Sequence, residues 1–356
     1  MDKVDASAHY QGVTEDKPSL LVVVLDTNPF AWQSLHSELP LQTALSHILL
    51  FLNAHLSFSH ANRVAVIASH TKSATFLYPN SAAAAETAET SVDLYRDANK
   101  YRLFASIERQ VQSSMQRLLS STAPESLAGT NETTMAGALS LALAYINRVC
   151  NADNLSDSGE GSGGGARPGE ARADTASMTA RILVVSVSGD LANQYVSVMN
   201  SIFAAQRQRV PIDICKIAGD TVFLQQASDS TNGIYMQLQH PSALLQYLLS
   251  CFMSDPSTRH HLIPPSQINV DFRAACFCHK RVVDIGFVCS ICLSIFCSPP
   301  PGAICTTCNT KLDVSALGNY GGKPAVVLMK KKKIKKAKKV LNDSAADSST
   351  PGTPVA

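Results

Sequence analysis

The 356-residue chain is 45% hydrophobic and 16% charged, too apolar for a disordered protein and long enough for one large domain and a small one. Its formal net charge of +2 conceals an asymmetry: the run KKKKIKKAKK at 330 to 339 supplies eight lysines, and the 329 residues before it hold 22 basic against 26 acidic side chains. No stretch approaches the roughly 18 to 20 consecutive apolar residues that span a bilayer, and the polar opening MDKVDASAHYQGVTEDKP lacks the apolar core of an export signal, so a reducing, non-membrane setting is expected.

In chain order, LLVVVL (20 to 25) is a continuous apolar run, as expected of a strand buried on both faces of a parallel sheet. Leu41, Leu45, Ile48, Leu49, Leu52 and Leu56 recur at helical steps and predict an amphipathic helix. RVAVIAS (63 to 69) reads as a second strand, with SATFLY (73 to 78) pairing beside it at an edge. After an Ala- and Thr-rich insert at 81 to 92, Tyr101, Phe104, Ile107, Val111, Met115 and Leu118 mark another helix, and a third spans about 133 to 149. RILVVSV (181 to 187), a helix at about 191 to 208, PIDICKI (211 to 217), a short helix near 221 to 228, GIYMQL (233 to 238) and a helix at about 242 to 253 complete the series. Strands alternating with helices imply a doubly wound α/β domain with a mostly parallel sheet. Residues 151 to 179 contain almost no large apolar side chain and read as a flexible insertion. Their GSGGG follows a helix, not a strand, and so is not a dinucleotide fingerprint. The expected organisation is a polar terminus at 1–17, the α/β domain at 18–255, a linker at 256–265, a small cysteine module at 266–318 and a lysine-rich tail at 319–356.

Seven of the ten cysteines, Cys276, Cys278, Cys289, Cys292, Cys297, Cys305 and Cys308, fall within 33 residues. In a reducing compartment such a cluster reads as metal ligation, whereas Cys150, Cys215 and Cys251, scattered in apolar contexts, read as core. A Cys-x2-Cys turn offers two thiolates to one ion, so Cys289, Cys292, Cys305 and Cys308 suit a closed, structural zinc site. Cys276, Cys278 and Cys297 then lack a fourth thiolate. They either form a second site completed by His279, or Cys276 and Cys278 share an ion with Cys289 and Cys292. His260 and His261 read as a solvated hinge pair.

At the end of the first strand, Asp26-Thr27-Asn28-Pro29-Phe30 occupies the place where doubly wound sheets bind ligands. Asp and Asn there could hold a hard cation, but they are also common caps of a following helix, and Pro29 favours that role. No nucleophile elbow, phosphate loop or paired carboxylates are evident, so no residues are expected to carry catalysis. The segment from Cys276 to Cys308 has only Lys280 and Arg281 as basic residues among many apolar ones, which favours burial against protein over nucleic-acid reading. The lysine run, without aromatic residues, suits a nuclear targeting signal, a loose, salt-dependent phosphate contact or a plain solvated tail.

A strand ending in DTNPFAW, this order of elements, then VDFRAACFCHKRVVDIGFVCSICLSIFC and ICTTC with a lysine-rich tail, resemble the small von Willebrand A-type subunits of the general transcription and DNA-repair factor TFIIH. The resemblance spans about 18 to 339. It implies a nuclear, non-catalytic scaffold acting in transcription initiation and nucleotide excision repair, with structural zinc. It also implies docking to other core subunits, chiefly a second von Willebrand A subunit with a RING-like zinc module, with no membrane or small-molecule partner. The wider superfamily holds a divalent ion at positions that fall here on Asp26, Asn28 and Phe30, on Thr133 or Thr134, and on Asp190. Phe30 cannot ligate a cation, so that ion site is expected to be lost.

Overall fold

The structure, a computed structural model, describes residues 18–80, 101–122, 132–156, 178–189, 192–256, 258–263, 265, 270–299 and 301–311. The expected polar terminus, the Ala- and Thr-rich insert, most of the 151 to 179 segment and the lysine run lie outside the described residues.

Six strands form one sheet in the order β3-β2-β1-β4-β5-β6: β1 (Ser19–Asp26), β2 (Arg63–Ser69), β3 (Ala74–Tyr78), β4 (Thr179–Ser186), β5 (Ile212–Lys216) and β6 (Tyr235–Gln237). All neighbours run parallel except β3, which pairs antiparallel with β2 at the edge. The helices are α1 (Pro29–Ser34), α2 (Leu41–Phe58), α3 (Arg102–Ser121), α4 (Met135–Ser156), α5 (Tyr195–Gln208), α6 (Val222–Ser230) and α7 (Leu244–Cys251). The run LLVVVL shows why the sheet lies between two layers. Leu21, Val23 and Leu25 pack with α1, α2, α3 and α7, whereas Leu20, Val22 and Val24 pack with α4, α5 and α6. Every residue of β1 is fully buried, and each such Leu or Val contributes about 1.5–3 kcal/mol of hydrophobic stabilisation. α4 continues past the expected 149 to Ser156, because NADNLS contains neither Gly nor Pro to stop it.

Two cations are fully buried within this apolar frame. Arg181, in β4, donates to the carbonyls of Phe252 at 2.5 Å and Ser254 at 3.0 Å, beyond α7. Its guanidinium also lies 3.7 Å from Asp213 and 3.4 Å from Asp255. Arg259, inside the expected linker, adds a second guanidinium to Asp213 at 2.8 and 2.5 Å. The chain leaving the α/β domain is thus fastened to the bottom of the sheet instead of hinging freely. Lys216, at the other end of β5, donates to Ser186 Oγ at 3.1 Å and to the carbonyl of Ser188. Gly233 permits the turn into β6, since a Cβ there would lie 1.9 Å from the Ile212 carbonyl oxygen.

Beyond residue 270, two short antiparallel ribbons follow. The first pairs β7 (Ala274–Ala275) with β8 (Val282–Val283), and the second pairs β9 (Phe287–Val288) with β10 (Ile295–Phe296). Ala275 and Val282 join the α/β core beside Phe223 and Leu224 of α6.

Candidate metal centre

The module carries three copies of one backbone turn. In the first, Cys276 N donates to Arg281 O and Lys280 N to Cys276 O; in the second, Cys289 N donates to Ser294 O and Leu293 N to Cys289 O; in the third, Cys305 N donates to Thr310 O and Asn309 N to Cys305 O. All six bonds measure 2.9 Å. The residue four places after each leading cysteine has positive φ: Lys280 at 53°, Leu293 at 59° and Asn309 at 55°. Asparagine tolerates that conformation, but for lysine and leucine it costs roughly 1–2 kcal/mol each, so the surroundings must hold them there.

The turns bring the sulfurs into two groups. Cys289, Cys292, Cys305 and Cys308 have ligand atoms all within 4.8 Å of one another, with Cys289 and Cys308 sulfurs 3.8 Å apart and those of Cys292 and Cys305 3.5 Å apart. A tetrahedral ion with Zn–S bonds of ~2.3 Å sets its sulfurs about 3.8 Å apart, whereas a disulfide needs ~2.05 Å. Cys289 and Cys305 are buried together with Phe296 and form the small core of the module. The Ser294 hydroxyl, 3.1 Å away, and the Ser294 amide push the Cys292 thiol down to about 6, and the Thr310 hydroxyl and amide lower Cys308 likewise. Both effects favour the thiolate, the form that ligates a metal.

Cys276, Cys278, Cys297 and His279 form the other group, again within 4.8 Å. Cys278 Sγ lies 3.4 Å and His279 Nδ1 3.1 Å from Cys297 Sγ. Either group could hold a metal ion. Cys276 and Cys278 therefore sit with Cys297 and not with Cys289 and Cys292. His261 is exposed and belongs to no such group among the described residues.

The module is joined to the sheet domain through α6. Gln226 donates from Nε2 to the carbonyls of Asp271 and Arg273 at 2.8 and 3.0 Å, and Gln225 accepts from Asp271 N at 3.1 Å. Gln225 in turn donates to Asp220 at 2.6 Å, which also receives the Tyr235 hydroxyl at 2.5 Å. The module also leaves large apolar side chains open to solvent, with Phe272, Ile291 and Leu293 exposed by 66–68%.

At the rim of the sheet, the Asp26 carboxylate accepts from Asn28 N at 3.0 Å, Val187 N at 3.1 Å and Ser188 N at 2.7 Å, all in buried surroundings. Asn28 caps α1 by accepting from Phe30 N at 3.0 Å, Phe30 points outward, 47% exposed, and Thr134 is bonded to the His70 carbonyl at 2.9 Å. Thr133 is buried, and Asp190 lies outside the described residues. Asp26 thus binds backbone amides of its own fold, while Lys216 places a positive charge under the Ser188 loop. Burial lowers the basicity of His70, against the opposing pull of the Thr27 carbonyl and the Asp26 carboxylate, and its ring is held between the Thr27 and Thr122 hydroxyls at 3.1 and 3.0 Å.

Sequence reasoning located the cysteines and the rim but not Arg181, Lys216 or the Gln225–Gln226 pair. A charged residue inside an otherwise apolar strand was the available signal for the first two. Paired glutamines on a helix gave no signal at all.

A family profile described as "Transcription factor Tfb4" matches residues 18–309. A relative from Schizosaccharomyces pombe, "General transcription and DNA repair factor IIH subunit tfb4", is 46% identical over 315 residues, covering 88% of this chain and 96% of the relative. The Saccharomyces cerevisiae subunit TFB4 is 33% identical, covering 90% of this chain and 94% of that one. Among solved structures, "Crystal Structure of the TFIIH p34 N-terminal Domain" matches with a TM-score of 0.54 and 39% identity, covering 67% of this chain and 99% of that one.

Proposed function

This chain belongs to the Tfb4 family of transcription factors, and from that premise we propose that it is a non-catalytic structural subunit of the TFIIH core, acting in RNA polymerase II transcription initiation and nucleotide excision repair. One observation carries the reading: the family match spans residues 18–309, from the first strand of the α/β domain to beyond Cys308, and so takes in both of the parts that α6 fastens together. The site assignment is structural zinc on Cys289, Cys292, Cys305 and Cys308, a four-thiolate set that leaves no open position for a reacting water. Zinc there would fix the fold of the module; the chain's own residues would do the binding.

The geometry supports docking as the activity. Asp26 is occupied by three amides of its own chain, which speaks against cation-dependent ligand capture at the rim. The exposed Phe272, Ile291 and Leu293 suit an apolar protein partner. The partner of choice is a second von Willebrand A subunit carrying a RING-like zinc module, with the lysine run 330 to 339 serving nuclear import or loose phosphate contact. A nuclear location follows from the role.

The test is a pull-down of the purified chain with that second subunit at about 0.5 M salt, where surface charge contacts are largely screened. A complex should persist, and should persist without residues 330–339. Binding that requires the lysine run, or no binding, would overturn the scaffold reading.

A further inference from the structure

We infer that the bottom of the sheet carries a docking cleft of its own, which takes an acidic side chain and its apolar neighbours from an extended segment of a partner protein. The cleft has a volume of about 480 Å³, within the range of ordinary ligand pockets, and it lies where β5 begins. Its walls are the C-terminal ends of α5 and α6 and the chain that leaves the domain, with Gln206, Arg209, Pro211, Asn232, Pro256 and Arg259 among the lining residues. Two guanidiniums and two side-chain amides thus line it, and no carboxylate does among the described residues. Arg259 is the anchored cation, its side chain only 10% exposed. Its Nε donates to the Ser254 carbonyl at 3.2 Å and its two terminal nitrogens donate to Asp213. Three of its five N–H groups are therefore used, and the other two have no partner among the described residues. Arg209 is exposed and follows α5 with a φ of 56°, at a position where glycine is the usual residue. Its guanidinium makes no ion pair among the described residues.

Charge selects the occupant. Arg181 and Arg259 are balanced by Asp213 and Asp255 beside them, so Arg209 is the one uncompensated charge among the lining side chains. A single carboxylate set between Arg209 and the open N–H groups of Arg259 would neutralise it through charge-assisted hydrogen bonds. A phosphate monoester, at about −1.5 to −2, would overshoot against the Asp213 carboxylate behind. Nucleic acid is disfavoured further, because no aromatic residue lines the cleft to stack a base and residues 1–329 are acidic in balance, with 22 basic against 26 acidic side chains. Pro211 and Pro256 offer apolar walls to the residues that flank the carboxylate. Phe203, three residues before Gln206 and on the same face of α5, is 56% exposed and extends that apolar surface.

Titration of the full-length, nitrogen-15-labelled chain with acetyl-Leu-Glu-Leu-amide tests this, read on the side-chain amide resonances of Gln206 and Asn232. The peptide should shift both saturably, and bind at least about tenfold more tightly than acetyl-Leu-Gln-Leu-amide, which lacks the charge-assisted bonds. Arg209→Gly should abolish the shifts while urea unfolding finds the domain no less stable, since glycine suits the left-handed backbone there. Equal binding of the glutamine peptide, tighter binding of the phosphoserine peptide or of a short oligothymidylate, undiminished binding by Arg209→Gly, or no shift at all would each overturn the assignment. The cleft uses none of the module's residues, so its failure leaves the scaffold reading standing, and a failed pull-down with the second von Willebrand A subunit leaves the cleft standing.

Discussion

The sheet domain and the cysteine module differ in what occupies their centres. β1 is flanked on both faces by helices, and its apolar residues alternate between two cores that together contain most of the buried side chains. The module has a core of Cys289, Phe296 and Cys305 and strands of two residues each. Such short ribbons cannot bury enough surface to fold alone, and their turns hold Lys280 and Leu293 in an unfavourable conformation. The difference teaches where each part is vulnerable: the first to cavities and uncompensated charges, the second to disruption of its clustered cysteines and of any ion they hold.

The largest effect should therefore come from the thiolates. Cys305→Ser removes a buried member of the proposed four-thiolate site, of a kind that contributes about 10–16 kcal/mol in small zinc domains. Hydrogen exchange should show residues 287–311 losing protection while β1, β4 and α2 keep theirs. If the sheet domain melted with the module, the contrast would fail, and Ala275 in the common core would be the reason. Arg181→Ala should cost about 3–5 kcal/mol in denaturant unfolding of the sheet domain, because it leaves buried carbonyls and part of the Asp213 charge uncompensated. An Arg181→Met change of similar size that proved equally damaging would show that charge, not packing, matters there.

Acid offers a third probe confined to the sheet domain. Burial, and then the neighbouring Arg181, push His55 down to about 4, against the ordinary 6.5. The unfolded chain takes up this proton first, so stability is intact above pH 6.5 and declines as pH falls toward 4, by about 3 kcal/mol in total. His55→Gln should flatten that portion of the pH–stability curve measured by urea titration. The smallest effect should follow Gln226→Ala, about 1 kcal/mol, seen as faster proteolysis near residues 270–275 with unchanged melting of the sheet.

Much of the sheet domain was legible because its signals are local. LLVVVL announced a strand covered on both sides, the helical spacing of Leu41 through Leu56 defined α2, and SATFLY read as the edge strand that β3 proves to be. The features that escaped are made by distant residues. Arg181 in β4 finds its carbonyl partners more than 70 residues later, and Gln226 meets backbone 45 residues on. The cysteine grouping was half legible, since Cys-x2-Cys spacing reveals a turn. Spacing left open whether Cys276 and Cys278 group with Cys297 and His279 or with Cys289 and Cys292, because the choice rests on contacts between residues 18 and 19 positions apart.

The interleaved ligands also impose a timetable on synthesis. Cys276, Cys278, Cys289 and Cys292 have all left the ribosome before Cys297 does, and Cys308 follows eleven residues after Cys297. For that interval the nascent chain holds a complete but wrong set of four thiolates, able to capture a zinc ion in a pairing absent from the folded protein. Emergence of Cys297 offers Cys276 and Cys278 a replacement partner, and emergence of Cys305 and Cys308 claims the other pair. A metal ion captured by that early set would have to change partners before Cys276 and Cys278 could group with Cys297 as they do in the folded chain.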